Sequence, residues 1–271
     1  MTRNTRTAIL LAAYGSRHPR AQASFEHIER RVSALFPGLA VRWCFTSRNV
    51  RKLREADSPA EALARLHGEG FKAVCVQSLH IIPGAEYEEM LAAAHEAERS
   101  FARLTTGLPL LHGPEDASRV ARALLGLLPA RDGSYEGKPA RPGGRRCAVF
   151  LGHGTAHPGH AQYAELAREL AKLDRHAFLG TLEEGPGAVA IRDSLLAAGC
   201  RETFLVPFFF AAGVHVENDM LGEGPRSWVS VLRQAGIAAT PIIQGAGEHD
   251  RLVDIWMDHL AEAMARLENR P

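Results

Sequence analysis

The chain has 271 residues, 46% of them hydrophobic and 23% charged, with a formal net charge of +1. That length and balance fit a soluble globular protein of two ordinary domains. The near-zero charge gives no support to a nucleic-acid or membrane-surface partner, and no apolar run approaches the roughly 18 residues of a membrane span.

The N-terminal Met-Thr-Arg-Asn-Thr-Arg carries no cleavage signal, so a cytoplasmic location is expected; a periplasmic one would require a leader already removed. Cys44, Cys75, Cys147 and Cys200 are widely spaced, each in or beside an apolar run. They are expected to be reduced core residues, because no Cys-x-x-Cys pair offers a zinc or iron–sulfur site.

In chain order, apolar runs predict strands at 9–13, 41–45, 73–79 and 108–111. Helical periods between and after them predict helices at 21–35, 59–68, 87–101 and 116–128. Residues 129–146 are rich in Gly, Pro and charge and read as a linker. The order then restarts, with strands at 147–151, 178–182, 203–210 and 237–243. The matching helices fall at 161–173, 188–198, 216–221 and 250–267. Alternating strands and helices predict parallel sheets covered on both faces.

Two glycine-flanked turns occupy matching places, Ala13-Tyr14-Gly15-Ser16-Arg17-His18-Pro19 and Gly152-His153-Gly154-Thr155-Ala156-His157-Pro158. Further pairings, Thr46 with Thr181 and Met90 with Met220, drift slightly in offset, as loop-length changes produce. The expected architecture is α/β: two similar lobes facing a central cleft, divided as 1–130, a linker at 131–146, and 147–271.

In open parallel sheets ligands bind beyond the carboxyl ends of the strands. Three polar sets fall there in the second half: His153, Glu183 with Glu184, and His215. Two imidazoles and a carboxylate from three strand ends make a candidate divalent-metal site with open positions. His80 ends the third strand of the first half and is read as a ligand-orienting or proton-handling group. His18 and His157 each precede a proline, so a shared turn role is expected. His95 lies mid-helix; it reads as a surface histidine, with axial ligation of haem as the sharper alternative. The run Phe208-Phe209-Phe210 suits core or a homo-oligomer interface. The chain lacks a phosphate-binding Gly-x-x-x-x-Gly-Lys-Ser/Thr, a complete dinucleotide fingerprint and a Gly-x-Ser-x-Gly elbow, so no nucleotide is expected.

At these residues the chain resembles the class II tetrapyrrole chelatases, nearest to the anaerobic sirohydrochlorin cobaltochelatase type. The matching stretches are Ala13-Tyr-Gly-Ser, Phe45-Thr-Ser-Arg48, Gln77-Ser-Leu-His-Ile-Ile-Pro-Gly-Ala-Glu-Tyr87, Leu151-Gly-His-Gly154, Gly180-Thr-Leu-Glu183 and Gly213-Val-His-Val-Glu-Asn-Asp-Met220. The resemblance implies two flavodoxin-like lobes with a macrocycle between them and metal on His153, Glu183 and His215. It also implies substrate contacts at Tyr14, Ser16, Arg48, His80 and Glu86. Insertion of Co(II), with Fe(II) as second candidate, into sirohydrochlorin for cobalamin biosynthesis is the implied activity. A metal or haem carrier on the same fold is the alternative. The family usually has Gly after the metal-binding Glu, where this chain has Glu184. Arg17, Arg48, Arg51, Lys52 and Arg226 are candidate partners for the carboxylates of such a substrate.

Overall fold

The computed structural model describes residues 6–129 and 146–269. The expected linker at 131–146 lies, except for Arg146, outside the described residues.

The first sheet contains β1 (Thr7–Ala13), β2 (Ala40–Phe45), β3 (Ala73–Ser78) and β4 (Arg103–Gly107), all parallel, in the order β2-β1-β3-β4. The second contains β5 (Arg146–Gly152), β6 (Ala177–Thr181), β7 (Glu202–Pro207) and β8 (Ala238–Pro241), in the order β6-β5-β7-β8. The two permutations are identical, so the duplication read from the glycine turns is a duplication of topology.

Helices α1 (Gln22–Leu35), α2 (Arg48–Arg54), α3 (Pro59–Gly68), α4 (Ala85–Ala97) and α5 (Pro114–Leu125) follow the strands of the first half. Helices α6 (Ala161–Leu173), α7 (Ala188–Ala197), α8 (Trp228–Gln234) and α9 (Asp250–Asn269) follow those of the second. Local chemistry sets their starts. Ser58 and Glu61 form a reciprocal capping box ahead of Pro59, with Ser58 N donating to Glu61 Oε2 at 2.8 Å. Ser47 caps α2 by accepting from Val50 N at 3.4 Å.

The central strands are buried on both sides and divide their side chains by alternation. Ile9 and Leu11 of β1 join Phe150 of β5, Val206 of β7 and Trp256 of α9 in one apolar cluster that runs through both halves. Ala8 and Leu10 face the opposite way, against Leu63 and Leu66 of α3 and Met90 of α4. Val149 and Leu151 of β5 likewise meet Ile191 and Leu195 of α7.

Although α9 comes from the second half of the sequence, it packs on β3 and β4 of the first sheet. Thr105 Oγ1 donates to Ala263 O at 3.0 Å, and the Arg266 guanidinium donates to Thr106 O at 2.9 Å. His259 Nε2 stands 3.2 Å from Asp116 Oδ1 on α5.

Several expectations need correction. The fourth strand is Arg103–Gly107 and not 108–111. Residues 108–111 are a passage in which Leu110 N and Leu111 N donate to the carbonyls of His80 and Ile81, and their apolar character reflects burial of Leu110 and Leu111 in the core. The sequence also hid α2 and α8, each of only seven residues. Residues Val216–Met220 form a π-helical turn. Finally, Cys147 and Cys200 are joined as a disulfide, with Cα atoms 6.2 Å apart. The β5–β7 pairing puts Cys147 opposite Thr203, which brings the loop before β7 alongside. Cys44 and Cys75 are free and buried, as expected; burial pushes the Cys75 thiol up to about 12 and the Cys44 thiol higher still. Among the described residues no helix is long and apolar enough to cross a membrane.

Candidate metal centre

A sheet ordered in this way has a topological switch between β1 and β3, and another between β5 and β7. There the flanking loops diverge and leave a crevice. Tyr14 and His80 follow the first pair of strands, and His153 and His215 follow the second.

The two turns are built alike. Ser47 N donates to Tyr14 O at 3.1 Å, and Glu183 N donates to His153 O at 2.8 Å. Gly15 and Gly154 have φ of 95° and 78°, a left-handed backbone that favours glycine. At Gly154 a Cβ would also fall 1.6 Å from Glu183 O, so the turn closes against the loop carrying Glu183. The buried Tyr163 ring packs against the end of β5, where a Cβ on Gly152 would fall 2.6 Å from it. Burial pushes this phenol up to about 12 and keeps it protonated. Tyr14 is 51% exposed on its own turn.

His153 and His215 are brought together, with ring centroids 4.9 Å apart and planes at 86°. The Phe209 ring lies 6.5 Å from His153 and 6.0 Å from His215. His153 Nδ1 stands 3.0 Å from Gly154 O, and a carbonyl only accepts, so the hydrogen is on Nδ1. His215 Nδ1 is 2.8 Å from Asp219 Oδ2, and the same argument holds for an ionised carboxylate. Each ring therefore keeps its Nε2 lone pair free to bind a cation. This is the outer partnering that orients metal-binding imidazoles.

Glu183 Oε2 lies 4.0 Å from His153 Nδ1, and its side chain is 65% exposed. The carboxylate is beside His153 and largely in solvent. Among the described residues, no three His, Cys, Asp or Glu side chains are gathered closely enough to hold an ion as they stand. Glu184 follows with φ of 47°, a left-handed conformation at the position where glycine is usual in the resembled family. Its carbonyl accepts from the Thr181 hydroxyl.

The other candidate residues are placed as follows. Ser16 Oγ accepts from His18 N at 3.2 Å and abuts Gly213 of the second half. Arg48 is exposed at the start of α2, and Glu86 is half-buried in the first turn of α4. His80 is buried, between the Thr46 hydroxyl at 3.2 Å from Nε2 and the Ser78 hydroxyl at 2.9 Å from Nδ1. The His95 side chain is 86% exposed on α4, 3.8 Å from Glu98, and takes no part in the pair. Phe208 is core, and Phe210 packs 5.1 Å from Phe25 and 5.8 Å from Trp256, so the apolar 208–210 run is largely used within the chain. Sequence reasoning missed Asp219 and Tyr163 as supports. The i, i+4 spacing from His215 to Asp219 was the available signal for the first.

Burial lowers the His80 pKa from 6.5 to about 4. The unfolded chain takes up this proton near 6.5 and the folded chain only near 4. The stabilisation is therefore complete above pH 6.5 and is lost as pH falls toward 4, by about 1.4 kcal/mol per pH unit. His249 is shifted in the same direction, first by burial. His80→Gln is thus expected to flatten, not abolish, the dependence of the urea midpoint on pH between 6.5 and 4. Identical slopes for the two proteins would contradict this assignment.

The overall structure superposes on SirB from Bacillus subtilis with Fe3+ with a TM-score of 0.64 at 18% identity, covering 98% of each chain. It therefore shares the bilobal chelatase fold. Residues 7–265 match the family described as cobalt chelatase (CbiK). Sirohydrochlorin cobaltochelatase CbiKC of Nitratidesulfovibrio vulgaris is 37% identical over 98% of this chain and 93% of its own. The sirohydrochlorin cobaltochelatase of Salmonella typhimurium is 32% identical over 95% of this chain and 96% of its own. The chain belongs to the cobalt chelatase (CbiK) family.

Proposed function

We propose that the protein inserts Co(II) into sirohydrochlorin without nucleotide hydrolysis, as a step of anaerobic cobalamin synthesis. The observation that carries this reading is the facing pair His153 and His215. Their Nδ1 atoms are engaged and their Nε2 lone pairs are free, at the switch point of a chain whose full-length relatives are sirohydrochlorin cobaltochelatases.

The incoming Co(II) is held by His153 Nε2, His215 Nε2 and the Glu183 carboxylate, once the exposed Glu183 side chain swings in. Imidazole and carboxylate bind Co(II) and Fe(II) without the tight grip of thiolates, so ring nitrogens can displace them one at a time. Insertion releases two pyrrole protons. The ionised Glu183 and the vacated imidazoles are the nearby acceptors. In the first lobe, Tyr14, Ser16, Arg48 and Glu86 orient the macrocycle, and Arg48 meets its carboxylates. Buried neutral His80 supports the Tyr14 turn through Thr46, whose amide donates to Ala13 O. The working division is a lobe at 1–130, a linker at 131–146 and a metal-carrying lobe at 147–271, in the cytoplasm.

The test is a steady-state assay with Co(II) and, separately, Fe(II), following the change in sirohydrochlorin absorbance. The expected result is many products per chain, faster with Co(II). A single product per chain would instead mark a metal or tetrapyrrole carrier.

A further inference from the structure

The histidines that end the two glycine turns do more than cap them. His18 Nδ1 accepts from Arg20 N at 3.3 Å, and His157 Nδ1 accepts from Gly159 N at 3.1 Å. An accepting Nδ1 places the ring hydrogen on Nε2. Both Nε2 atoms reach across the cleft. His18 Nε2 of the first lobe lies 2.7 Å from Glu217 Oε1 of the second. His157 Nε2 of the second lobe lies 3.2 Å from Glu88 Oε1 of the first.

The arrangement is reciprocal. In each case a turn after the first strand of one half meets the segment after the third strand of the other. Two glycines also let the halves approach closely at these places. A Cβ on Gly213 would lie 3.1 Å from Ser16 Oγ, and one on Gly159 would lie 2.2 Å from Pro83 O. His157 stands in the turn that presents His153, and Glu217 in the helical turn that follows His215.

We propose that His18 with Glu217, and His157 with Glu88, are paired positioning clamps that tie both histidine-bearing loops to the first lobe and set the width of the cleft. Hydrogen bonds from these neutral imidazoles to exposed carboxylates add little to global stability. They act on the balance between closed and open lobes, where small differences shift populations. The effect on chelation rests on the proposed function; the effect on lobe spacing does not.

The experiment uses spin labels on L53C of α2 and V189C of α7, both exposed positions, in the full chain free of metal and tetrapyrrole. Distances are compared for the wild-type background, H18N/H157N and E88A/E217A. Asparagine Oδ1 can still accept the capping amide but cannot reach the carboxylate. The alanine pair changes only two exposed side chains and serves if the first variant folds poorly.

The expected result is a shift to longer distances of more than about 2 Å in both variants, the scale of a domain rearrangement. E88Q/E217Q, which keeps an acceptor oxygen for each Nε2–H, should retain the wild-type distance. In the chelation assay the clamp variants should lose on the order of 10- to 100-fold in kcat/KM, mostly through KM. Unchanged distances in both clamp variants would overturn the clamps whatever the assay shows. Longer distances with unchanged kcat/KM would overturn their positioning role. Longer distances alongside an inactive wild-type protein would leave the clamps standing and reject the chelatase reading alone.

Discussion

His153→Ala and His215→Ala should each lower the rate of Co(II) insertion by at least about 100-fold, because even the outer partners of metal-binding histidines act on a 10- to 100-fold scale. The two side chains are 42% and 44% exposed, so neither holds up the core and neither variant should melt early. Each replacement removes one of the two free Nε2 lone pairs and leaves Glu183 with a single partner. Asp219→Asn should act more mildly. It keeps an oxygen near His215 Nδ1 and removes only the charge that orients the ring. Full activity in both alanine variants, measured by sirohydrochlorin absorbance in excess Co(II), would remove the histidine pair from the reaction.

The largest stability effect is expected at Trp256→Ala. The side chain is fully buried on α9, its ring 5.8 Å from Phe210, inside the cluster shared by the two halves. Its indole N–H has no hydrogen-bond partner among the described residues, so the loss is one of packing. Replacing a buried Trp by Ala removes about 3–5 kcal/mol, against a total stability of about 5–15 kcal/mol. For a chain of this size that corresponds to a melting temperature lower by about 10 °C. Leu53→Ala, at a site 60% exposed, should leave the midpoint nearly unchanged. A loss below about 1 kcal/mol at Trp256 would mean that the surrounding core collapses to fill the space.

The sequence was most readable where burial is complete. β1, β3, β5 and β7 are central strands covered on both faces, and they read as largely apolar runs. The turns bearing Tyr14 and His153 were legible because their glycines answer to local backbone demands that recur in both halves. Where partners are distant the reading failed. Leu108 to Leu111 looked like a strand because it is buried, yet its hydrogen bonds go to the loop after β3. The polar β4 escaped notice because its cover is α9, far along the chain. Charged α2 has no apolar stripe of useful length. Nothing local joins Cys147 to Cys200, and only the β5–β7 register brings them side by side. At the candidate centre, the three strand-end loops were foreseeable from the parallel order. The orienting hydrogen bonds of His153 and His215 needed coordinates, as did the histidine–glutamate pairs across the cleft.

The seat of α9 on the first sheet also bears on how the chain is made. During synthesis β1 to β4 leave the ribosome early, but the helix that covers β3 and β4 is Asp250–Asn269. The β3–β4 part of one face of the first sheet therefore waits for its cover until nearly all of the second half has been translated. Nascent chains halted before residue 250 should bind holdase chaperones and be readily cut by protease in the first half. Chains released after residue 269 should be protected in both halves at once.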